Sequence, residues 1–437
     1  MSPVEVGSYA LVALIALIMI GMPIGIGMLA VSFAGVAFIR NDIVAVRMMA
    51  QVANDSLEEY LFAVVPLFVL MGLLVTISGV GRDTFDVFQR LLRRVLAGLG
   101  MATVFANAVF ASITGISIAS ATVFSRIAVP EMRRHGYTNR FATGVVAGSS
   151  VLGMLIPPSL LMIVYAVLAE QSVGRMFLAG VGPGLLLSAL FCVTILVLAV
   201  TRPSFVFETV DSAPEDAAIG LGEIVTKALP IVSLMLLVLG GLYGGFLNPT
   251  EAGAAGAFGA LMIALLRRSL DRRTFWGLLV ETGQITVSVL FLILAATFFS
   301  RMLALSGVPQ SLAHVFLSGG IGPYGFLILY LVLIIALGCL IDSISIMLIV
   351  LPIALPIAQA ADFDMIWFGV MTVIAVEIGL LTPPFGLSVY TIKSAMNDDS
   401  LRVGEIFAGA VPFVLAMVAA LAILIVFPPI ATWLARM

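Results

Sequence analysis

The chain has 437 residues, 62% of them hydrophobic and 10% charged, with a mean hydropathy of +1.20 and a formal net charge of -3. A soluble domain carries about 25% charged residues, so a water-soluble enzyme is excluded, and a pI near 5.5 offers no basic surface for nucleic acid. The two cysteines, Cys192 and Cys339, both lie inside apolar runs and give neither a disulfide framework nor a metal-binding spacing.

Taken in chain order, apolar segments run over 8–21, 23–39, 60–80, 99–130, 141–168, 175–200, 226–247, 252–266, 285–306, 322–360, 365–392 and 405–428. Runs of about 20 apolar residues span a bilayer, so the pattern predicts an all-α polytopic membrane protein. No cationic region precedes the first run, which argues against a cleaved signal peptide. The one long polar stretch, 201–225, is read as a cytoplasmic linker between a first repeat, 1–200, and a second, 226–437.

The cations set the topology. Arg90, Arg93 and Arg94 precede segment 99–130, and Arg133, Arg134 and Arg140 follow it. Both ends therefore belong in the cytoplasm, and the segment is predicted to enter and return as a re-entrant hairpin. Segment 322–360 has no flanking cation and is followed by Asp362 and Asp364, so it is the hairpin opening to the outside. The other segments then alternate with Arg202, Lys227, Arg267, Arg268, Arg272, Arg273, Lys393 and Arg402 inside, and both termini external. Segment 81–98 is amphipathic, with Phe85, Phe88, Leu92 and Val95 on one stripe, and suits an interfacial helix; a cytosolic connector is the alternative. Asn248-Pro249-Thr250-Glu251 reads as a turn and helix cap. Gly240-x-x-x-Gly244 and Gly241-x-x-x-Gly245 read as helix-packing faces.

Segments 141–168 and 365–392 are broken. Gly153-Met154-Leu155-Ile156-Pro157-Pro158-Ser159 sits inside the first, and Gly379-Leu380-Leu381-Thr382-Pro383-Pro384-Phe385-Gly386 inside the second. A double proline removes two helix donors and clashes with the preceding turn. In a membrane such backbone persists only where protein or a polar cavity receives it. Two breaks 226 positions apart, with Ser78-Gly79-Val80 echoed by Ser306-Gly307-Val308, predict an inverted-topology repeat whose binding site lies at the breaks.

Candidate ion or substrate ligands are therefore Thr114, Gly115, Ser117 and Ser120 at the first hairpin tip. Ser149, Ser150, Gly153, Pro157 and Pro158 join them at the first break, Asp342, Ser343 and Ser345 at the second tip, and Glu377, Gly379, Thr382 and Pro383 at the second break. Unwound carbonyls and hydroxyls are hard oxygen donors suited to Na+. The Na+ candidates are Ser117, Ser150, Gly153, Asp342, Gly379 and Thr382. Each serine alone also suits helix packing. Asp342 either binds or caps the second hairpin arm, and Glu377 either binds a cation or proton or satisfies backbone donors freed by the break. Arg126, inside a hairpin arm, is read as pairing with an anionic substrate, snorkelling, or meeting a carboxylate. His135 and His314 lie away from the breaks and carry no assigned chemistry.

These residues bear a resemblance. Gly153–Ser159, Tyr165, Phe177-Leu178-Ala179-Gly180 with Pro183-Gly184, Asn248–Glu251, Gly338 with Asp342, and Gly379–Gly386 resemble the large membrane subunit (DctM/SiaM type) of tripartite ATP-independent periplasmic (TRAP) transporters. Pro130-Glu131-Met132 with Gly136-Tyr137 fits as well. The resemblance covers the whole chain. It implies a multi-pass protein of the bacterial inner (cytoplasmic) membrane and no enzymatic activity. It implies Na+-driven uptake of an organic anion, commonly a carboxylate, delivered by a periplasmic substrate-binding protein. A small four-helix membrane subunit is the other implied partner, and an elevator movement of hairpins and broken helices against a frame is the implied mechanism. The chain departs from the family in reading Gly115-Ile116-Ser117 where Gly-Ser-Ser is usual, and in placing Arg126 where a small residue is usual. The alternative within transport is a stand-alone Na+- or H+-coupled carboxylate carrier or antiporter. An intramembrane enzyme lacks its parts, since there is no H-E-x-x-H and no G-x-S-x-G.

Overall fold

A computed structural model describes residues 1–58, 60–208 and 220–436, and the central part of the 201–225 linker lies outside the described residues. Helices dominate, with no strand among the described residues beyond an isolated bridge between Tyr137 and Phe207. In order they are α1 (Pro3–Met19), α2 (Ile24–Ile39), α3 (Asp42–Glu58), α4 (Val64–Ile77), α5 (Val80–Leu92), α6 (Gly98–Thr114) and α7 (Ser117–Arg134). Next come α8 (Asn139–Ser150), α9 (Leu152–Leu155), α10 (Leu160–Leu168), α11 (Val173–Thr201) and α12 (Pro203–Val206). Beyond the linker follow α13 (Leu221–Met235), α14 (Gly241–Tyr243), α15 (Pro249–Leu266), α16 (Arg272–Ser306), α17 (Val308–Ser318) and α18 (Gly322–Gly338). The last are α19 (Ser343–Ala360), α20 (Met365–Leu381), α21 (Leu387–Met396), α22 (Val403–Val426) and α23 (Pro429–Thr432).

Local chemistry explains the boundaries. Asn248 and Glu251 form the expected capping box at α15, each side chain meeting the other's backbone N–H at 2.9 Å. Asp271, Asp342 and Asp364 cap α16, α19 and α20. Two differences from the sequence reading follow from helical amphipathicity. Helix α3 is present where no segment was expected, because its charges break the apolar run without breaking the helix. Helix α16 begins at Arg272, ahead of the apolar stretch at 285, and continues for 35 residues. The linker is also shorter than expected, since α11 and α13 reach into it.

Among the described residues six helices are individually long and apolar enough to cross a membrane, and three further bent pairs meet that test together. Helix α5 bends 65° away from α4. It buries Val80 and Phe85 and sends Asp83 and Asp86 to Arg267 and Lys227, at 2.5 and 2.8 Å. This is the expected amphipathic helix, ending at Leu92.

Both segments expected to turn back on themselves are helix pairs joined by short turns. Helices α6 and α7 pack together around Gly115 and Ile116, and α18 and α19 around 339–342. Among the described residues, the ion pairs between distant segments join groups that the cation pattern puts on one side. Arg133–Asp398, Lys227–Asp86 and Arg267–Asp83 lie at expected inner ends, while Arg301–Asp55 and Arg436–Asp364 lie at expected outer ends.

The packing crosses between the halves. Helices α1 and α2 pack on α16, and α15 packs on α4. A third junction joins α8 to α22, where Gly144 and Gly409 lie so close that a Cβ on either would meet backbone of the other helix. Helices α1 and α2 thus rest on the 35-residue α16 and helix α15 on the 14-residue α4, in each case a helix of the opposite half.

Candidate functional site

Each hairpin tip is hydrogen-bonded to the break that follows it. The Leu160 N–H, just past Pro157-Pro158, donates to the Gly115 carbonyl at 3.3 Å; the Phe385 N–H, just past Pro383-Pro384, donates to the Cys339 carbonyl, also at 3.3 Å. The Pro157–Pro158 and Pro383–Pro384 bonds are both cis. Glycines permit the approach. Gly115 has φ +64°, and a Cβ there would lie 2.5 Å from the Pro158 carbonyl oxygen; a Cβ on Gly338 would lie 2.7 Å from the Gly379 Cα. A Cβ on Gly153 would meet the Ser117 nitrogen at 3.1 Å. The echo between Ser78-Gly79 and Ser306-Gly307 extends to geometry. Both glycines are left-handed, with φ of 77° and 76°. Both serine hydroxyls donate 2.7 Å back into their helix and accept from the N–H two residues on, that of Val80 and of Val308.

The first site is sealed. Ser117, Ser120, Ser149, Ser150, Gly153, Pro157 and Pro158 are all buried, as is Thr114. Thr114, Ser149 and Ser150 each donate their hydroxyl proton to a carbonyl of their own helix, at 3.1, 2.7 and 2.8 Å. A hydroxyl that has spent its proton still presents an oxygen lone pair, which is what a hard cation requires. The Ser120 Oγ has no protein partner.

The second site is open. Pro383, Pro384 and Asp342 are exposed, and Phe385 is 56% exposed, while Ser343 and Ser345 are buried and Thr382 is half-buried. Asp342 caps α19, accepting from the Ser345 N–H at 3.1 Å. Thr382 donates to the Ile378 carbonyl at 2.7 Å.

Glu377 joins the two sites. It is fully buried on α20, and its Oε1 lies 3.5 Å from the Ser117 hydroxyl at the first hairpin tip. Its Oε2 has no protein partner, and no backbone donor of the break reaches it among the described residues. An isolated carboxylate in an apolar interior is costly unless a cation or proton meets it. Two polar residues absent from the sequence-based set also line this region. Asn107 donates 2.6 Å to Ser149 and leaves its Oδ1 unpartnered, and Ser388 is buried with an unpartnered Oγ. Asn107 was visible as a lone amide in an apolar arm. Ser388 carried no such signal. Arg126 meets the Ala395 carbonyl at 3.3 Å through Nε, and no carboxylate pairs with it. The arrangement offers oxygen ligands around a buried carboxyl group, with no group of three or more His, Cys, Asp or Glu among the described residues able to hold a metal ion.

The sequence model of the family described as "Tripartite ATP-independent periplasmic transporter, DctM component" matches residues 11–430. The chain is 34% identical, over 88% of each sequence, to the C4-dicarboxylate TRAP transporter large permease protein DctM of Pseudomonas aeruginosa. It is 29% identical, over 95% of each, to the sialic acid TRAP transporter large permease protein SiaM of Vibrio cholerae. It is 27% identical to the ectoine TRAP transporter large permease protein TeaC of Halomonas elongata, over 96% of this chain and 97% of that one. All three are named as transporter permease subunits, not as enzymes. In fold it resembles the Alcanivorax borkumensis YdaH transporter, at a TM-score of 0.59, 16% identity and 85% coverage of both chains. It likewise resembles Neisseria gonorrhoeae MtrF, at a TM-score of 0.58 and 12% identity, covering 88% of this chain and 84% of that one. With apolar helices throughout and a family match spanning nearly its whole length, this chain is a multi-pass membrane protein that belongs to the DctM family, the large permease subunits of TRAP transporters.

Proposed function

We propose that the chain carries an organic acid anion inward across the bacterial inner membrane together with Na+, by moving its hairpins and broken helices as a unit. A periplasmic binding protein delivers the anion, and a small membrane subunit completes the complex. Relatives named for C4-dicarboxylate, sialic acid and ectoine support an organic acid as substrate class without choosing among them.

The observation that carries this reading is the twofold recurrence of one device. A hairpin-tip carbonyl accepts an N–H freed by a double proline, at 115/160 and again at 339/385. Two such devices in one chain, offset by near-constant spacing and with matching helix caps at Gly79 and Gly307, support an inverted repeat. The bare Glu377 oxygen, the spent hydroxyls of Ser149 and Ser150, and the unpartnered Ser120 oxygen fit a hard cation as co-substrate. The exposed second break, with Pro383 and Phe385, suits contact with the organic anion. The crossed packing of α2 on α16 and α15 on α4 fits long arms held to a frame. The expected inner ends of α5, α7 and α13 fit a cytoplasmic face.

Replacing Ser117, Ser150 or Thr382 with leucine tests the ion sites. Each change is expected to raise the Na+ concentration for half-maximal uptake in proteoliposomes. Unchanged Na+ dependence in all three, or full uptake on a proton gradient alone, contradicts the reading.

A further inference from the structure

Helices α7 and α21 run side by side in the same direction from the membrane interior to one face. Arg126 of α7 meets Ala395 at the end of α21, and Arg133, two turns on, meets Asp398 just beyond it. Eight residues of helix span about 12 Å. That step back from Arg126 reaches Ile118, beside the first hairpin tip, and the same step back from Ala395 reaches Leu387, beside the second break. The shared groove therefore starts where both proposed sites meet and ends at the expected cytoplasmic face.

One stripe of α7, at helical spacing, stays open along this groove. Ile118 is 44% exposed, Thr122 is half-buried and Arg126 is exposed. On the α21 side, Phe385 just before the helix and Tyr390 within it are 56% and 44% exposed. The apolar and aromatic groups lie at the inner end and the cations at the outer end. Arg126 uses only its Nε, on the Ala395 carbonyl, so both terminal guanidinium nitrogens remain without a partner among the described residues. Arg133 spends one nitrogen on Asp398 and leaves buried Nε and Nη2 unpartnered. Lys393 donates 2.5 Å to the Asp398 carbonyl. Asp398 and the exposed Asp399 are the acids at this end; Glu131 is engaged by Arg134 and His135. An exposed arginine with unused donors is not stable against hydrocarbon. It requires water or an anion.

We propose that the α7–α21 groove is the cytoplasmic release lane for the transported anion and that Arg126 is its anion-binding station. The proposal rests on the transport reading given above. The chemistry at Arg126 suits a carboxylate or a phosphate, whether from the departing substrate or from a lipid headgroup. A departing anion needs an aqueous lane down to Arg126, whereas a headgroup bound at the interface leaves the inner positions dry.

The test reads the lane with charged thiol reagents and needs no knowledge of the substrate. Cys192 and Cys339 are replaced by serine in the full chain, Thr122→Cys is added, and inside-out membrane vesicles receive anionic or cationic methanethiosulfonate reagents. After correction for each reagent's rate with a free thiol, the anionic reagent is expected to label position 122 roughly tenfold faster. Adding Arg126→Gln should erase that preference, while Arg126→Lys should retain it. No labelling from the cytoplasmic side, in vesicles of zwitterionic or anionic lipid alike, would assign Arg126 to headgroups and overturn the lane. A charge preference that survives Arg126→Gln would overturn Arg126 as the station. Loss of Na+-coupled uptake as a reading would leave both labelling results standing, because labelling depends on neither Na+ nor substrate.

Discussion

Glu377 concentrates the chemistry at the scale of single residues. It sits in apolar surroundings with one hydroxyl at 3.5 Å and one bare oxygen, and the proposed cation role makes it the group to change first. Glu377→Gln keeps the shape and removes the charge. It is expected to raise the half-saturating Na+ concentration about tenfold or more, as loss of a charge-assisted contact of roughly 1.5–3 kcal/mol would; Na+ titration of uptake measures it, and an unchanged titration counts against the cation role. Gly409 gives a packing counterpart. A Cβ there would run into the Arg140 carbonyl of α8, and Gly409→Leu is expected to cost about 1–3 kcal/mol or more by overpacking. A lowered melting temperature in detergent, by size-exclusion assay, is the check. Most of the site was legible from residue type. Paired prolines, tip glycines and intramembrane carboxylates each break a rule that apolar helices otherwise keep. Ser388 was not legible because one serine in an apolar helix breaks no rule, and the closeness of Ser117 to Glu377 was not, because it depends on segments 260 residues apart in the chain coming together.

Among elements, the helix turns at 115–116 and 339–342 and the breaks at both double prolines lie where charge and proline pointed. What the sequence hid were helices whose periodicity is masked by charge, α3 and the first turns of α16, and the crossed pairing of α2 with α16. The pin between α7 and the end of α21 has its own consequence. The Ser400 hydroxyl and the Arg133 guanidinium hold the Asp398 carboxyl down to about 2. A carboxyl lowered by folding contributes above its ordinary pKa of about 3.9 and is lost only as pH falls toward its folded value. Spin labels at Arg134 and Asp399 are therefore expected to give the same distance distribution at pH 8 and at pH 5. Broadening at pH 5 would show that another group controls this end. The tip–break bonds make a second claim. Gly115→Ala places a methyl against the Pro158 carbonyl on a left-handed backbone and is expected to abolish uptake while leaving the protein in the membrane, by immunoblot and transport assay.

At the scale of the whole molecule, two like devices approach one another at Ser117 and Glu377, while α2 packs on α16 and α15 on α4 across the halves. Such a layout is what the proposed movement of a core between arms anchored elsewhere requires. The most direct measurement is uptake of a labelled organic acid retained by the cognate binding protein, into proteoliposomes holding this chain with its small subunit. The expected result is saturable uptake that needs both the binding protein and an inward Na+ gradient, and that stops when choline replaces Na+. Equal uptake in choline, or uptake undiminished without the binding protein, would contradict Na+-coupled delivery through this site.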